Sequence, residues 1–144
     1  MWTLAALLST QHRAMVDPLY SSTKQILESQ GAEGSEPSGR DTEVLLAWVL
    51  VAICESMQTL HRQAWLNVGR AIRMVQGLRF HEIDSPRNPR NNPRSQPANV
   101  ASEADDLTEI EQNRRVFWMV YFLDHLFSIR NDWPVTLNEH VVRK

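Results

Sequence analysis

Cysteine is nearly absent from this sequence, which has one, Cys54, in 144 residues. A single cysteine excludes a disulfide framework within the chain and any zinc site built from several cysteines. Glycine is also scarce: there are five, and none forms the GxGxxG or P-loop patterns that cradle phosphates. These shortages argue against disulfide-rich, zinc-cluster and nucleotide-binding classes of protein.

Long apolar runs and an excess of basic charge are missing too. The longest apolar run, Val44 to Cys54, has eleven residues, whereas a bilayer span needs about 20. Fifteen Lys and Arg against seventeen Asp and Glu give a net charge of −2, which does not suit a polycation built for nucleic acid. The composition therefore predicts a folded globular chain with no membrane partner, and the length fits a single domain, 1–144.

Apolar residues recur at helical spacing, and no segment alternates with the period of a strand. We expect an all-α multi-helix bundle or array, with loops at about 30–40 and 81–106. The second loop, rich in Pro, Asn and Arg, is expected to be a disordered insertion. The predicted helices are Trp2 to about Val16, Asp17-Pro18 to about Ser29, Asp41 or Thr42 to Met57, about Arg62 to Leu78, and a long helix at about 107–130.

One local basic patch lies in the second loop, from Arg87 to Arg94. Its arginines suit phosphate contact, but aromatic residues and a helical frame are missing. A solvated loop is the favoured interpretation.

Charged residues surround the apolar part of the long helix. Thr108 and Glu111 match a capping box at its start, and Glu111 is spaced to pair with Arg115. Asp124 follows the apolar run, where a carboxylate needs a partner. We expect Arg73, from the preceding helix, to reach Glu111 or Asp124. The alternative is a set of charges that faces solvent.

Catalytic and metal-binding patterns find no support. The five histidines lack a His, Cys or Glu partner at the spacing that places two ligands on one helix face. Cys54 lies in the most apolar helix, where a thiol behaves as a small hydrophobe and the thiolate is disfavoured. We therefore predict no catalytic residue, no metal and no enzymatic activity.

Five aromatic residues are candidates for the lining of a ligand pocket: Trp48, Trp65, Phe117, Trp118 and Tyr121. Such a pocket would make the chain a stand-alone helical module that binds a small molecule or a protein. The alternative is that these rings fill the core, the commoner role at helical spacing.

Two stretches of the sequence contain motifs that are more specific than helical spacing. The first is a helix with G-x-A-x-R followed by a turn like L-G-L-H, and the second is E-x-x-R-R-x-F-W with a following D-x-x-x-S. The matching residues are Gly69, Ala71, Arg73, Leu78 and His81, then Glu111, Arg114, Arg115, Phe117, Trp118, Asp124 and Ser128. This pattern resembles the fungal-specific transcription factor domain, the middle homology region of fungal Zn2Cys6 regulators.

The resemblance implies a regulatory region of a nuclear transcription factor, although no import signal is visible. DNA would be contacted only through a zinc cluster of six cysteines, which this chain cannot supply, so no cofactor is expected here. The partners it implies are proteins or a small-molecule effector. Because family members continue beyond the position of Lys144, the resemblance also implies a truncated domain.

The matching residues suggest structural roles. Gly69 and Ala71 are expected to let two helices approach closely, and Phe117 and Trp118 to supply large buried area. Arg79 stands where the turn of the family has a glycine. We therefore expect either a costly left-handed conformation at Arg79 or a changed turn.

Overall fold

A computed structural model describes residues 1–32, 41–83 and 100–137 of the chain. These ranges contain two short 3-10 turns, Arg13–Met15 and Phe80–Glu82, and no strand, which confirms the all-α fold. No helix in them is long and apolar enough to cross a membrane. The five α-helices are α1 (Trp2–Leu8), α2 (Val16–Ala32), α3 (Asp41–Met57), α4 (His61–Gly77) and α5 (Val100–Asn131).

The chain divides into two compact units, Met1–Ala71 and Ile72–Lys144. In the first unit α3 packs on α1 and α2 and buries Leu45, Val49 and Ala52. In the second unit α5 packs on the Phe80–Glu82 turn. Each Leu, Val or Phe side chain that is fully buried contributes about 1.5–3 kcal/mol to folding. The single domain stays a prediction.

The first predicted helix is interrupted. α1 ends at Leu8, Ser9 is extended, and its hydroxyl lies 3.0 Å from Nδ1 of His12. Short polar side chains offer the backbone alternatives to helical hydrogen bonds, and Ser9 begins such a polar stretch. The next α-helix then starts at Val16, one residue before the predicted start at Asp17.

Other helix boundaries agree more closely with the sequence. α3 has the predicted limits, and α4 is shifted by one residue. α5 begins at Val100, earlier than predicted, because the residues after Pro97 include the helix formers Ala and Glu and no proline or glycine. Thr108 therefore lies inside the helix and is not its N-cap. The remaining loop residues, 33–40 and 84–99, lie outside the described residues, as does the basic patch from Arg87 to Arg94.

Three helices end on a non-glycine residue in the left-handed region. These residues are Thr59 (φ 64°) after α3, Arg79 (φ 57°) after α4 and Asp132 (φ 54°) after α5. After α3, the Leu60 amide donates to the Glu55 carbonyl at 2.8 Å, the bond that closes a Schellman motif. Of the two alternatives expected at Arg79, the structure has the left-handed conformation.

Candidate functional site

Three charged residues of α5, Glu111, Arg114 and Arg115, form an ion-pair cluster. Glu111 accepts hydrogen bonds from Arg114 at 2.5 Å and from Arg115 at 2.8 Å, which confirms the predicted Glu111–Arg115 pair. Hydrogen bonds from Arg114 and then Arg115 lower the pKa of the Glu111 carboxyl. Since all three side chains are substantially exposed, this cluster contributes little to stability.

The predicted partner of these carboxylates, Arg73, does not reach them. Arg73 is exposed, and it makes no ion pair with Glu111 or Asp124 within the described residues. The prediction was wrong because both carboxylates have other partners: Glu111 pairs with arginines of its own helix, and Asp124 accepts from two backbone amides of the segment after α5.

Asp124 anchors the segment that follows α5. Its Oδ2 atom accepts hydrogen bonds from the backbone amides of Thr136 at 2.9 Å and Leu137 at 2.7 Å. Ser128 donates to the Asp124 carbonyl at 2.6 Å, and its hydroxyl lies 3.3 Å from the carbonyl of Pro134. The D-x-x-x-S spacing therefore places two polar groups on one side of the helix, where they hold the returning chain.

This anchor is deeply buried. Asp124 and Leu137 are both 0% exposed, and Ser128 is 3% exposed. The second carboxylate oxygen, Oδ1, has no hydrogen-bond partner among the described residues. A buried carboxylate that accepts two amide bonds serves to fix backbone position.

The aromatic part of the pattern is split between core and surface. Phe117 is buried, whereas Trp118 is 49% exposed. The expectation that Trp118 supplies a large buried area is therefore wrong. Trp118 lies on the exposed side of α5 with Met119 and Phe122, whereas Phe117 and Val120 lie on the buried side. The rings of Phe117 and Trp118 lie 5.4 Å apart, and those of Trp118 and Tyr121 lie 5.6 Å apart, both edge-to-face.

The other two pocket candidates belong to the first unit. Trp48 is buried, and the Arg70 guanidinium lies 4.7 Å from the centre of its ring. Trp65 is half-buried. The structure thus brings Phe117, Trp118 and Tyr121 together, while a pocket lined by all five residues stays a prediction.

The first half of the sequence pattern is largely structural. Ala71 is fully buried, but a Cβ atom built on Gly69 meets no described atom within 4 Å. The close helix contact expected at Gly69 is therefore wrong, because open space surrounds this position. Leu78 is half-buried, and Nε2 of His81 lies 3.5 Å from Oε1 of Glu82.

The first unit contains a buried polar network that was not predicted from the sequence. Glu55 on α3 is 0% exposed. Tyr20 on α2 donates to its Oε1 at 2.6 Å, and Asn67 on α4 donates to its Oε2 at 2.7 Å. Lys24 lies 3.6 Å from Oε1 and donates to the Tyr20 hydroxyl at 3.1 Å. Glu55 therefore joins α2, α3 and α4.

The network alters the acidity of its members. Burial, followed by the hydrogen bond to Glu55, raises the pKa of the Tyr20 hydroxyl. Burial lowers the pKa of Lys24, but the hydrogen bond to Tyr20 and the charge of Glu55 outweigh it, so the net shift is upward. Two sequence signals point to this network: Glu55 directly follows the longest apolar run, and Tyr20 and Lys24 share a helix face.

Cys54 carries the only thiol of the chain. Cys54 is buried, and this burial raises the pKa of its thiol, in agreement with the expectation that the thiolate is disfavoured. Within the part of the chain that the structure describes, no three His, Cys, Asp or Glu side chains are grouped to hold a metal ion.

Comparison with known proteins connects these residues to one family. Residues 1–143 match the family model of the fungal specific transcription factor domain. The chain is 51% identical to a citrinin biosynthesis transcriptional activator of Monascus ruber over 99% of its own length and 26% of that protein. It is 46% identical to an ascochitine biosynthesis cluster transcriptional regulator of Didymella fabae, over 99% of its own length and 23% of that protein.

A third relative is more distant. The chain is 36% identical to a pigment biosynthesis transcriptional activator of Monascus ruber, over 99% of its own length and 24% of that protein. The chain thus spans about a quarter of the length of these relatives. No solved structure matches it significantly.

Proposed function

Since this chain belongs to the fungal specific transcription factor domain family, we propose that it is the regulatory region of an activator that controls a biosynthetic gene cluster. The observation that carries this proposal is the match over residues 1–143, together with relatives that are named as activators or regulators of biosynthesis. We place its action in the nucleus.

The geometry supports a role of the buried acidic groups in helix packing. The buried carboxylate of Glu55 accepts hydrogen bonds from neighbouring side chains, and that of Asp124 accepts them from backbone amides. Groups held in this way position helices and are poorly placed to transfer protons to a substrate. The proposed role is therefore regulatory and not enzymatic, with no cofactor bound through these residues.

DNA contact is assigned to a part of the activator outside these residues. The zinc cluster implied by the family resemblance requires six cysteines, and this chain has one, which is buried. A net charge of −2 also gives little attraction to phosphates.

Transcript profiling after deletion of the coding sequence tests the regulatory role. We expect lower transcript levels across a contiguous group of biosynthetic genes. An Asp124→Ala allele should reproduce part of that loss, whereas Gln112→Ala, at an exposed position of the same helix, should not. Unchanged transcripts in the deletion strain would contradict the proposal.

Gel-shift experiments with the purified chain test the assignment of DNA contact. Promoter fragments of the affected genes are compared with scrambled DNA at low and physiological salt. We expect no sequence preference at either salt concentration, and a preference by the chain alone would refute this part of the proposal.

A further inference from the structure

Helix α4 carries positive charge on its outer side. It contains three arginines, all exposed, and no acidic residue: Arg62, Arg70 and Arg73. Arg62 and Arg70 stand four positions before and four positions after Leu66, which is 52% exposed. Because residues four positions apart are neighbours on a helix surface, Arg62, Leu66 and Arg70 form a row in the first unit, which we call the α4 basic row.

The charge of this row is not neutralised by the described residues. None of the ion pairs found among them includes Arg62 or Arg70. Glu55, which contacts α4 through Asn67, is 0% exposed, and its two oxygens already accept hydrogen bonds from other side chains. Both guanidinium groups are therefore open to an anion from outside the described part of the chain.

The guanidinium of Arg70 is positioned by an aromatic ring. It lies over Trp48, 4.7 Å from the centre of the ring, and a cation at this distance is attracted to the ring face. The other acidic residues of α3, Asp41 and Glu43, begin that helix five or more residues before Trp48, and neither pairs with Arg70 within the described residues. A guanidinium fixed over a ring keeps its planar N–H groups for a carboxylate, which it binds through two parallel hydrogen bonds.

The spacing of the row indicates what kind of anion fits it. Arg62 and Arg70 are about 12 Å apart along the helix axis, with the exposed Leu66 between them. A protein helix that has two carboxylates at this spacing and an apolar side chain between them can pair with both arginines and cover Leu66. A phosphate backbone has no apolar group to place on Leu66, and the net charge of −2 gives the chain little attraction for a polyanion. The row therefore fits an acidic amphipathic helix better than a nucleic acid.

We propose that the α4 basic row binds an acidic amphipathic helix of a partner protein. Arg62 and Arg70 each pair with a carboxylate of that helix, and Leu66 packs against the apolar residue between the two carboxylates. Exposed ion pairs contribute little individually and are screened by salt, so the contact is weak and sensitive to ionic strength. The inference goes beyond the proposed regulatory function and does not depend on it.

Fluorescence anisotropy with a labelled synthetic helical peptide tests the proposal. The peptide carries two glutamates eight positions apart, as Arg62 and Arg70 are, with a leucine midway between them. We expect saturable binding that weakens as salt rises, and binding at least about tenfold weaker for the double variant Arg62→Glu/Arg70→Glu. A peptide with serine in place of the leucine should bind the wild type less tightly. Absence of binding by the wild type, or equally tight binding of a DNA duplex, would overturn the proposal.

An exchange of charges separates a lost contact from a lost fold. The double variant should keep the helical spectrum of the wild type and should bind a peptide with two lysines in place of the glutamates, which the wild type does not bind. Arg13→Glu/Arg130→Glu makes the same change of charge at exposed positions outside the row, and it should bind the glutamate peptide better than the row variant does. If the two variants lose the same affinity, or if the lysine peptide does not bind, the row does not select its partner and the proposal is overturned.

Discussion

The carboxylate of Asp124 accepts a 2.7 Å hydrogen bond from the amide of Leu137, thirteen residues later in the chain. Together with the bond from Thr136, this contact holds the returning segment against the buried side of α5. The pattern that marks the family at this point is thus a structural anchor.

We expect Asp124→Ala to destabilise the chain by about 2–4 kcal/mol, because it leaves two backbone amides without their charged acceptor. Asp124→Asn keeps one acceptor oxygen and should cost less. The free energy of unfolding in urea measures both variants. Equal losses for Ala and Asn would show that the amide bonds do not set the stability.

Asn67 on α4 should contribute more to the stability of the fold than the exposed polar residues of the same helix do. Asn67→Ala removes a donor from the buried Glu55 carboxylate, which we expect to cost about 1–3 kcal/mol. Gln63→Ala, at an exposed polar position of the same helix, should change the free energy of unfolding by less than about 0.5 kcal/mol. If the two variants lose the same stability, Asn67 does not support Glu55.

The raised pKa values of Tyr20 and Lys24 predict a loss of stability in alkali. The folded state holds these protons more tightly than the unfolded state, so their contribution is complete below the unfolded pKa values. It is lost as the pH rises through the folded values, from about pH 10 upward. Tyr20→Phe should give a shallower decline of unfolding free energy with pH, and curves parallel to wild type would contradict this.

Gly69→Ala should stabilise α4 by about 0.5–1 kcal/mol, because glycine inside a helix is costly relative to alanine. The added methyl group meets no described atom within 4 Å. Thermal unfolding measures the effect. A lower melting temperature would show that a close contact occupies this position after all.

Arg79→Gly should also stabilise the chain, by about 0.5–1 kcal/mol, since glycine adopts φ 57° without strain. Both variants lose the exposed 2.7 Å ion pair with Glu82, which contributes little, but Arg79→Ala also retains the left-handed strain. We expect its melting temperature to equal or fall below that of the wild type. Equal gains from Gly and Ala would instead point to the arginine charge as the cause.

The sequence predicted those features that depend on local spacing. The position of α3 follows from its apolar run and the polar residues just before that run, and the Glu111–Arg115 pair follows from the geometry of one helix turn. The family resemblance, which places a glycine at the turn, indicated that Arg79 would either be left-handed or change the turn, and it is left-handed. These features need no knowledge of the tertiary structure.

The failures involve contacts between distant segments. Arg73 and Asp124 have opposite charges, but the Asp124 carboxylate accepts hydrogen bonds from amides twelve and thirteen residues further along the chain. The hydrogen bond between Asn67 and Glu55 joins two different helices, so the spacing within one helix does not predict it. Trp118 was expected in the core, since hydrophobicity alone does not indicate which side of α5 is covered.

The position of Glu55 also has a consequence for how the first unit opens. Three helices contribute to its hydrogen bonds, so detaching either α2 or α4 alone would leave part of a buried carboxylate without a partner. Partly opened forms are therefore penalised relative to complete unfolding. Amide hydrogens of α2, α3 and the first part of α4 should exchange with solvent through a common opening, as one cooperative folding unit.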